Sequence, residues 1–157
     1  MEKLNAFLQK SYTAFQAVEN AKALLDEQGF VALPETDDWA LEEGGKYYVT
    51  RDGAVIAFTV GSLSDFSYKI VASHTDSPAL KLKEKAVQTS AFYASLNVET
   101  YGVGLWYSFL DKPLKIAGRV VRREGNRLVT ENVLSLSRCR SPRWQFIKTA
   151  KQTISLR

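Results

Sequence analysis

Arg51-Asp52-Gly53 constrains the fold of this chain more than any other stretch. It lies between Lys46-Tyr47-Tyr48-Val49-Thr50 and Ala54-Val55-Ile56-Ala57-Phe58-Thr59-Val60, two runs of β-favouring residues. An Asp-Gly pair between such runs predicts a tight turn and an antiparallel hairpin. The stretch before it predicts a helix. Ala14, Val18, Ala21 and Leu25 recur at i, i+4, i+7 and i+11, one apolar stripe along a helix from Thr13 to Gln28. Thr13 stands at the N-cap, Gln16 completes a capping-box pattern, and Gly29 is placed to end the helix in a left-handed conformation. Residues 2 to 10 predict a shorter first helix. The class is therefore mixed, α/β (α+β).

Beyond the hairpin, Gly61 to Ser67 predicts a loop. Tyr68-Lys69-Ile70-Val71-Ala72-Ser73 predicts a short buried strand that runs straight into His74-Thr75-Asp76-Ser77-Pro78. Leu80 to Lys83 predicts a strand, followed by a polar connection through Ser90. Leu96 to Thr100 and Leu114 to Arg122 predict further strands. Between those two lie the glycine-punctuated turn Tyr101 to Gly104, the apolar Trp106 to Leu110, and the breaker Asp111-Lys112-Pro113. Glu124-Gly125-Asn126 predicts a turn into a strand at Arg127 to Thr130, past which the periodicity fades.

The length of 157 residues suits one domain, or a domain with part of another, and 45% hydrophobic with 24% charged residues is a globular composition. No run approaches the roughly 18 apolar residues of a membrane helix, and Met1 to Asn5 has no signal-peptide apolar core. The single cysteine, Cys139, excludes an internal disulfide framework and fits a reducing compartment, so a cytoplasmic location is expected. The net charge of +4 hides an asymmetry. Residues 1–111 hold nine Lys/Arg against fifteen Asp/Glu, a balance of −6, and residues 112–157 hold twelve against two, a balance of +10. Basic and aromatic residues interleave at the end, in Arg140, Arg143, Trp144, Phe146 and Lys148, the composition of a single-strand-binding segment. The acidic first two-thirds would repel phosphate and no nucleic-acid motif is present, so nucleic acid is not the expected partner.

The one histidine, His74, follows an apolar run and precedes Asp76 by two positions. A histidine at the carboxyl end of a strand lies where open α/β sheets bind ligands. A carboxylate two residues on can accept the second ring N–H and orient the imidazole toward a metal. The same spacing also suits a hydrogen-bonded histidine at a strand end with Asp76 opening a turn.

The longer string Val71-Ala72-Ser73-His74-Thr75-Asp76-Ser77-Pro78-Ala79-Leu80-Lys81-Leu82-Lys83 resembles a signature of the aspartyl aminopeptidase family, two-metal zinc peptidases that remove acidic residues from peptide N-termini. Other landmarks follow the family in order. They are Ser11 to Val18, then Trp39 with Leu41 and Gly44 to Arg51, then Val98 to Gly102, Leu110-Asp111, and Ala117 to Val120. The resemblance covers about residues 4 to 130, with Ala14 in place of the family's proline, Gln16 in place of its histidine, Val103 in place of a glycine and Lys112 in place of an arginine.

The resemblance implies His74 as a metal ligand and Asp76 as its catalytic partner. It implies metal-assisted hydrolysis of a peptide with an acidic N-terminal residue, with a glutamate from a later part of the fold as base. It implies a homo-oligomer for the full-length family. Residues 1–88 then read as the N-terminal part of the catalytic domain, 89–131 as the start of an inserted β-rich dimerisation-type domain, and 132–157 as a basic tail in which the resemblance is lost. A catalytic zinc needs about three protein ligands, and Glu43, Glu99, Asp111 and Cys139 have no ligand-like spacing to His74. The expectation is a truncated chain, inactive alone, whose tail is either divergent or read in a shifted frame. The alternative functions are a non-catalytic interaction fragment and, less expected, a nucleic-acid binder acting through the tail.

Overall fold

A computed structural model of the chain describes residues 1–65, 67–89, 91–140 and 152–156. Its contacts divide the chain into two compact units, Met1–Asp76 and Ser77–Arg157, a division ahead of the 88/89 boundary that the resemblance implies.

In the first unit, α1 (Glu2–Lys10) is followed by α2 (Ala14–Glu27). Thr13 caps α2 by accepting from the Gln16 backbone N–H at 3.4 Å, and its hydroxyl donates to the Gln16 side-chain oxygen at 3.2 Å. Gln16 thus completes the cap through its amide oxygen and not by reaching back to the Thr13 N–H. The helix ends as its glycine predicts. Gly29 takes φ 76°, its N–H donates to Asp26 O, and the Phe30 N–H donates to Leu25 O, the paired bonds of a Schellman motif. The predicted stripe faces inward, with Val18 and the adjacent Ala17 buried.

β1 (Val31–Ala32) runs parallel to β2 (Lys46–Arg51), and β2 pairs antiparallel with β3 (Ala54–Thr59) in the order β1-β2-β3. The register from Arg51↔Ala54 to Lys46↔Thr59 places Asp52-Gly53 at the turn, as the sequence predicts. Tyr47, Tyr48 and Val49 on β2 are buried. The Tyr48 hydroxyl donates to Asp26 Oδ1 at 2.8 Å and ties β2 to the last turn of α2.

One expectation fails in this unit. Residues 68–73 form no strand, and Tyr68, Ile70 and Val71 are 80%, 83% and 100% exposed. A strand needs a neighbour for its N–H and C=O groups and cover for its apolar faces. The run has the residues of a buried strand, but no described strand pairs with it.

The second unit is a five-stranded sheet in the order β4-β5-β8-β7-β6, from β4 (Ala79–Thr89), β5 (Ala94–Tyr101), β6 (Pro113–Glu124), β7 (Arg127–Arg140) and β8 (Gln152–Leu156). β4 is longer than predicted, because the polar residues before Ser90 continue the strand after a register shift between Leu82 and Val87. β7 also outruns its sequence signal and pairs with β6 to the end, Pro113↔Arg140. In both, pairing with a well-marked neighbour overrides weak local propensity. Trp106–Phe109 forms a short 3-10 helix. Leu96 and Val98 on β5 are the buried centre, packed by Leu80, Ala86, Leu114 and Ile116.

Candidate functional site

The segment carrying the predicted site residues belongs to the first unit and is anchored on its hairpin. The Thr75 hydroxyl donates to the Gly53 carbonyl oxygen at 2.5 Å. Gly53 is itself pressed against the start of α2: a Cβ there would meet the Ala14 Cβ at 3.0 Å. The small residues Gly53 and Ala14 therefore let the hairpin turn, the helix start and the His74-Thr75-Asp76 segment come together. A proline at position 14 would put more bulk at this contact, so the alanine fits the close approach seen here. Nothing in the local sequence signals the link from Thr75 to Gly53, because the two are far apart in the chain and neither belongs to a pattern that names the other.

His74 and Asp76 are brought together as their spacing predicts. The His74 Nδ1 lies 3.1 Å from the Asp76 backbone oxygen and 3.4 Å from Asp76 Oδ1. A carbonyl oxygen only accepts, so Nδ1 carries the hydrogen and donates. That assignment leaves the lone pair of the neutral ring on Nε2, the arrangement of a histidine whose second nitrogen is held while the first is offered to a metal. The side chains are open to solvent, 83% exposed for His74 and 42% for Asp76.

Glu43, Asp111 and Glu99 lie on other segments of the chain. The Glu43 carboxylate accepts from the Leu63 N–H at 2.7 Å. Asp111 sits in a turn with φ 56°, and Glu99 is exposed on β5. Among the described residues no three His, Cys, Asp or Glu gather into a metal-binding group. One oriented imidazole fits one position of a zinc centre, and these residues do not make a complete centre. Arg143, Trp144, Phe146 and Lys148 of the basic tail lie outside the described residues. No described helix is long and apolar enough to cross a membrane.

Comparison with known proteins bears on the same stretch. The family described as aminopeptidase I zinc metalloprotease (M18) matches residues 7–143, past Glu131 and into the Arg/Ser-rich segment. A probable aspartyl aminopeptidase of Ricinus communis is 41% identical over 121 residues, 75% of this chain and 25% of its own length. A probable M18 family aminopeptidase 2 of Clostridium novyi is 41% identical over 132 residues, 82% of this chain and 30% of its own. The solved mApe1 dodecamer of S. cerevesiae superposes with a TM-score of 0.80 at 29% identity, over 99% of this chain and 37% of that one. The chain thus spans under a third of the length of these curated relatives.

Proposed function

The chain belongs to the aspartyl aminopeptidase (M18) family of zinc metalloproteases, and from that premise we propose that it contributes the first metal ligand of an aminopeptidase that removes Asp or Glu from peptide N-termini. The observation that carries this reading is the pairing of His74 Nδ1 with Asp76 on a side chain that is otherwise exposed. In this reading Nε2 is one ligand of a two-metal zinc site. Asp76 holds the ring and stabilises its coordinating tautomer, and Thr75 fixes the segment against the β2–β3 turn. Bound zinc would supply polarisation of the scissile carbonyl and activation of water. The remaining ligands and the base come, on this proposal, from the portion of an M18 chain that this sequence does not span. The preference for an acidic N-terminal residue rests on the relatives alone. So does assembly into a homo-oligomer, the form named for one solved neighbour, a dodecamer.

The domain assignment is part of the same proposal. Residues 1–88 derive from the catalytic domain, 89–131 from an inserted domain used in assembly, and 132–157 form a basic extension. A cytoplasmic location is proposed on the single cysteine.

The 157-residue chain alone is expected to show little or no turnover, because a single imidazole does not hold a catalytic zinc. The test is hydrolysis of Asp-, Glu- and Ala-initiated peptides with zinc, by the chain alone and by the chain joined to the rest of an M18 sequence. The joined enzyme should cleave the acidic peptides and lose at least about a thousandfold in rate on His74→Ala, the scale of a lost catalytic group. Full activity in His74→Ala would remove His74 from the site. Turnover by the chain alone would show that it carries a complete one.

A further inference from the structure

Charge divides unequally between the two faces of the ribbon formed by β6 and β7. Side chains alternate along each strand, and residues opposite each other in an antiparallel register share a face. On one face stand Arg122, Glu124, Arg127 and Glu131, two cations and two acids. The Arg122 guanidinium lies 2.7 Å from the Glu124 carboxylate and 3.8 Å from that of Glu131. On the other face stand Lys115, Arg119 and Arg123, each four residues from the next, with Arg138 opposite Lys115 in the register and no acid from either strand. Like charges directly opposite each other destabilise a sheet, so a bound anion would relieve the Lys115–Arg138 pair. Val121 and Leu128 share this face and are 60% and 70% exposed. The basic excess extends through the second unit: residues 77–157 hold fifteen Lys/Arg against five Asp/Glu, whereas residues 1–76 hold six against twelve. β6 is also an end strand, with β7 on one side and no described strand on the other. Such an edge offers N–H and C=O groups to an added strand.

We propose that the edge of β6 and its basic face form a docking site for an extended acidic peptide, which adds to the sheet as a further strand. Charge complementarity selects this occupant. Backbone hydrogen bonds to β6 hold the peptide, and every second side chain lies on the basic face. Carboxylates at every fourth position of the peptide meet Lys115, Arg119 and Arg123. Apolar residues midway between them meet Ala117 and Val121. Both strands rise about 3.3 Å per residue, so the peptide matches the run from Lys115 to Arg123 residue for residue. Its pattern is acid-x-apolar-x-acid-x-apolar-x-acid. A single-stranded nucleic acid would meet the same cations, but β6 and β7 carry no aromatic residue on which its bases could stack. The site does not use His74 and is independent of any metal role for that residue.

The test is fluorescence anisotropy of the labelled peptide Glu-Thr-Val-Thr-Glu-Thr-Val-Thr-Glu titrated with the 157-residue chain. Binding should saturate and should weaken as sodium chloride is raised. A peptide of the same composition with its three glutamates adjacent should bind at least about tenfold more weakly, because it cannot set all three opposite the cations. N-methylation of the alternate amides that face β6 should abolish binding, and methylation of the other set should not. These comparisons use the parent chain, so they do not depend on the folding of a variant. The triple variant Lys115→Glu/Arg119→Glu/Arg123→Glu should lose at least about tenfold in affinity and should bind the matching peptide that carries lysine in place of glutamate. Arg127→Ser, on the balanced face, should bind as the parent does. Absence of binding overturns the proposal. So does equal binding of the clustered peptide or of both methylated peptides, which would reduce the site to a diffuse positive field. Tighter binding of a single-stranded oligonucleotide than of the peptide would assign the face to nucleic acid instead. Self-association that the triple variant abolishes, without peptide binding, would give the edge to a second copy.

Discussion

Tyr48 shows how one residue carries both the fold and a pH dependence. Its ring is buried on β2 and its hydroxyl donates to Asp26. The hydrogen bond to Asp26 raises its pKa above the ordinary 10.0, and burial adds to the rise. A raised folded-state pKa means that the folded chain holds the phenolic proton more tightly than the unfolded one. The resulting stability is fully present below the unfolded value and is lost as pH rises through the folded value. Urea titrations from pH 8 to 11 should therefore show stability falling above about 10. Tyr48→Phe should cost about 1 kcal/mol near neutral pH, the net worth of one hydrogen bond, and flatten the alkaline fall. An unchanged alkaline slope in that variant would place the titration elsewhere. At the candidate site the sequence was equally informative about one pair. The spacing of His74 and Asp76 is enough for their contact, since two residues in a turn keep the ring within reach of the second carbonyl and carboxylate. The anchor of that pair, Thr75 on Gly53, comes from tertiary packing and leaves no local mark.

At the scale of elements, the well-marked turns carried the prediction and the unmarked strands did not. Asp52-Gly53 and Gly125-Asn126 both connect strands through two residues, from Arg51 to Ala54 and from Glu124 to Arg127. Gly125 takes φ 59° at the first central position, the conformation that favours glycine in a tight hairpin. Nothing lies within 4 Å of a Cβ built there, so Gly125→Ala tests the backbone alone. It should destabilise the chain by about 1 kcal/mol, read from the urea midpoint. Gly118→Ala is the control, because that glycine lies within β6 in equally open space without a left-handed φ. It should be neutral or stabilise by up to about 1 kcal/mol. Equal losses in both would show that the turn conformation is not what Gly125 supplies. The ends of β4 and β7 were not legible because their residues alternate poorly, and pairing with β5 and β6 decides them. Residues 68–73 erred in the other direction. Their strand composition is real, but a strand also needs a neighbour, which lies beyond what the local residues specify.

For the whole molecule, charge and site tell one story. The acidic balance of residues 1–111 and the basic balance of 112–157 do not make a basic protein of uniform character, and the family match spans both parts. Each unit has a small buried centre, with Val18 and Val98 the largest fully buried side chains among the described residues. The apolar residues ahead of His74 remain outside any core. An oriented histidine after an exposed apolar run fits the proposal that the chain contributes one ligand to a zinc enzyme. The central claim is that His74 is a zinc ligand of that enzyme, and zinc content measures it most directly. Zinc should be counted by mass spectrometry in the purified chain, in the chain assembled with the rest of an M18 sequence, and in that assembly carrying His74→Ala. The account predicts no stoichiometric zinc in the chain alone, bound zinc in the assembly, and loss of at least one zinc per assembly in the variant with its melting temperature in the absence of metal unchanged. Equal zinc in the parent and His74→Ala assemblies would contradict it.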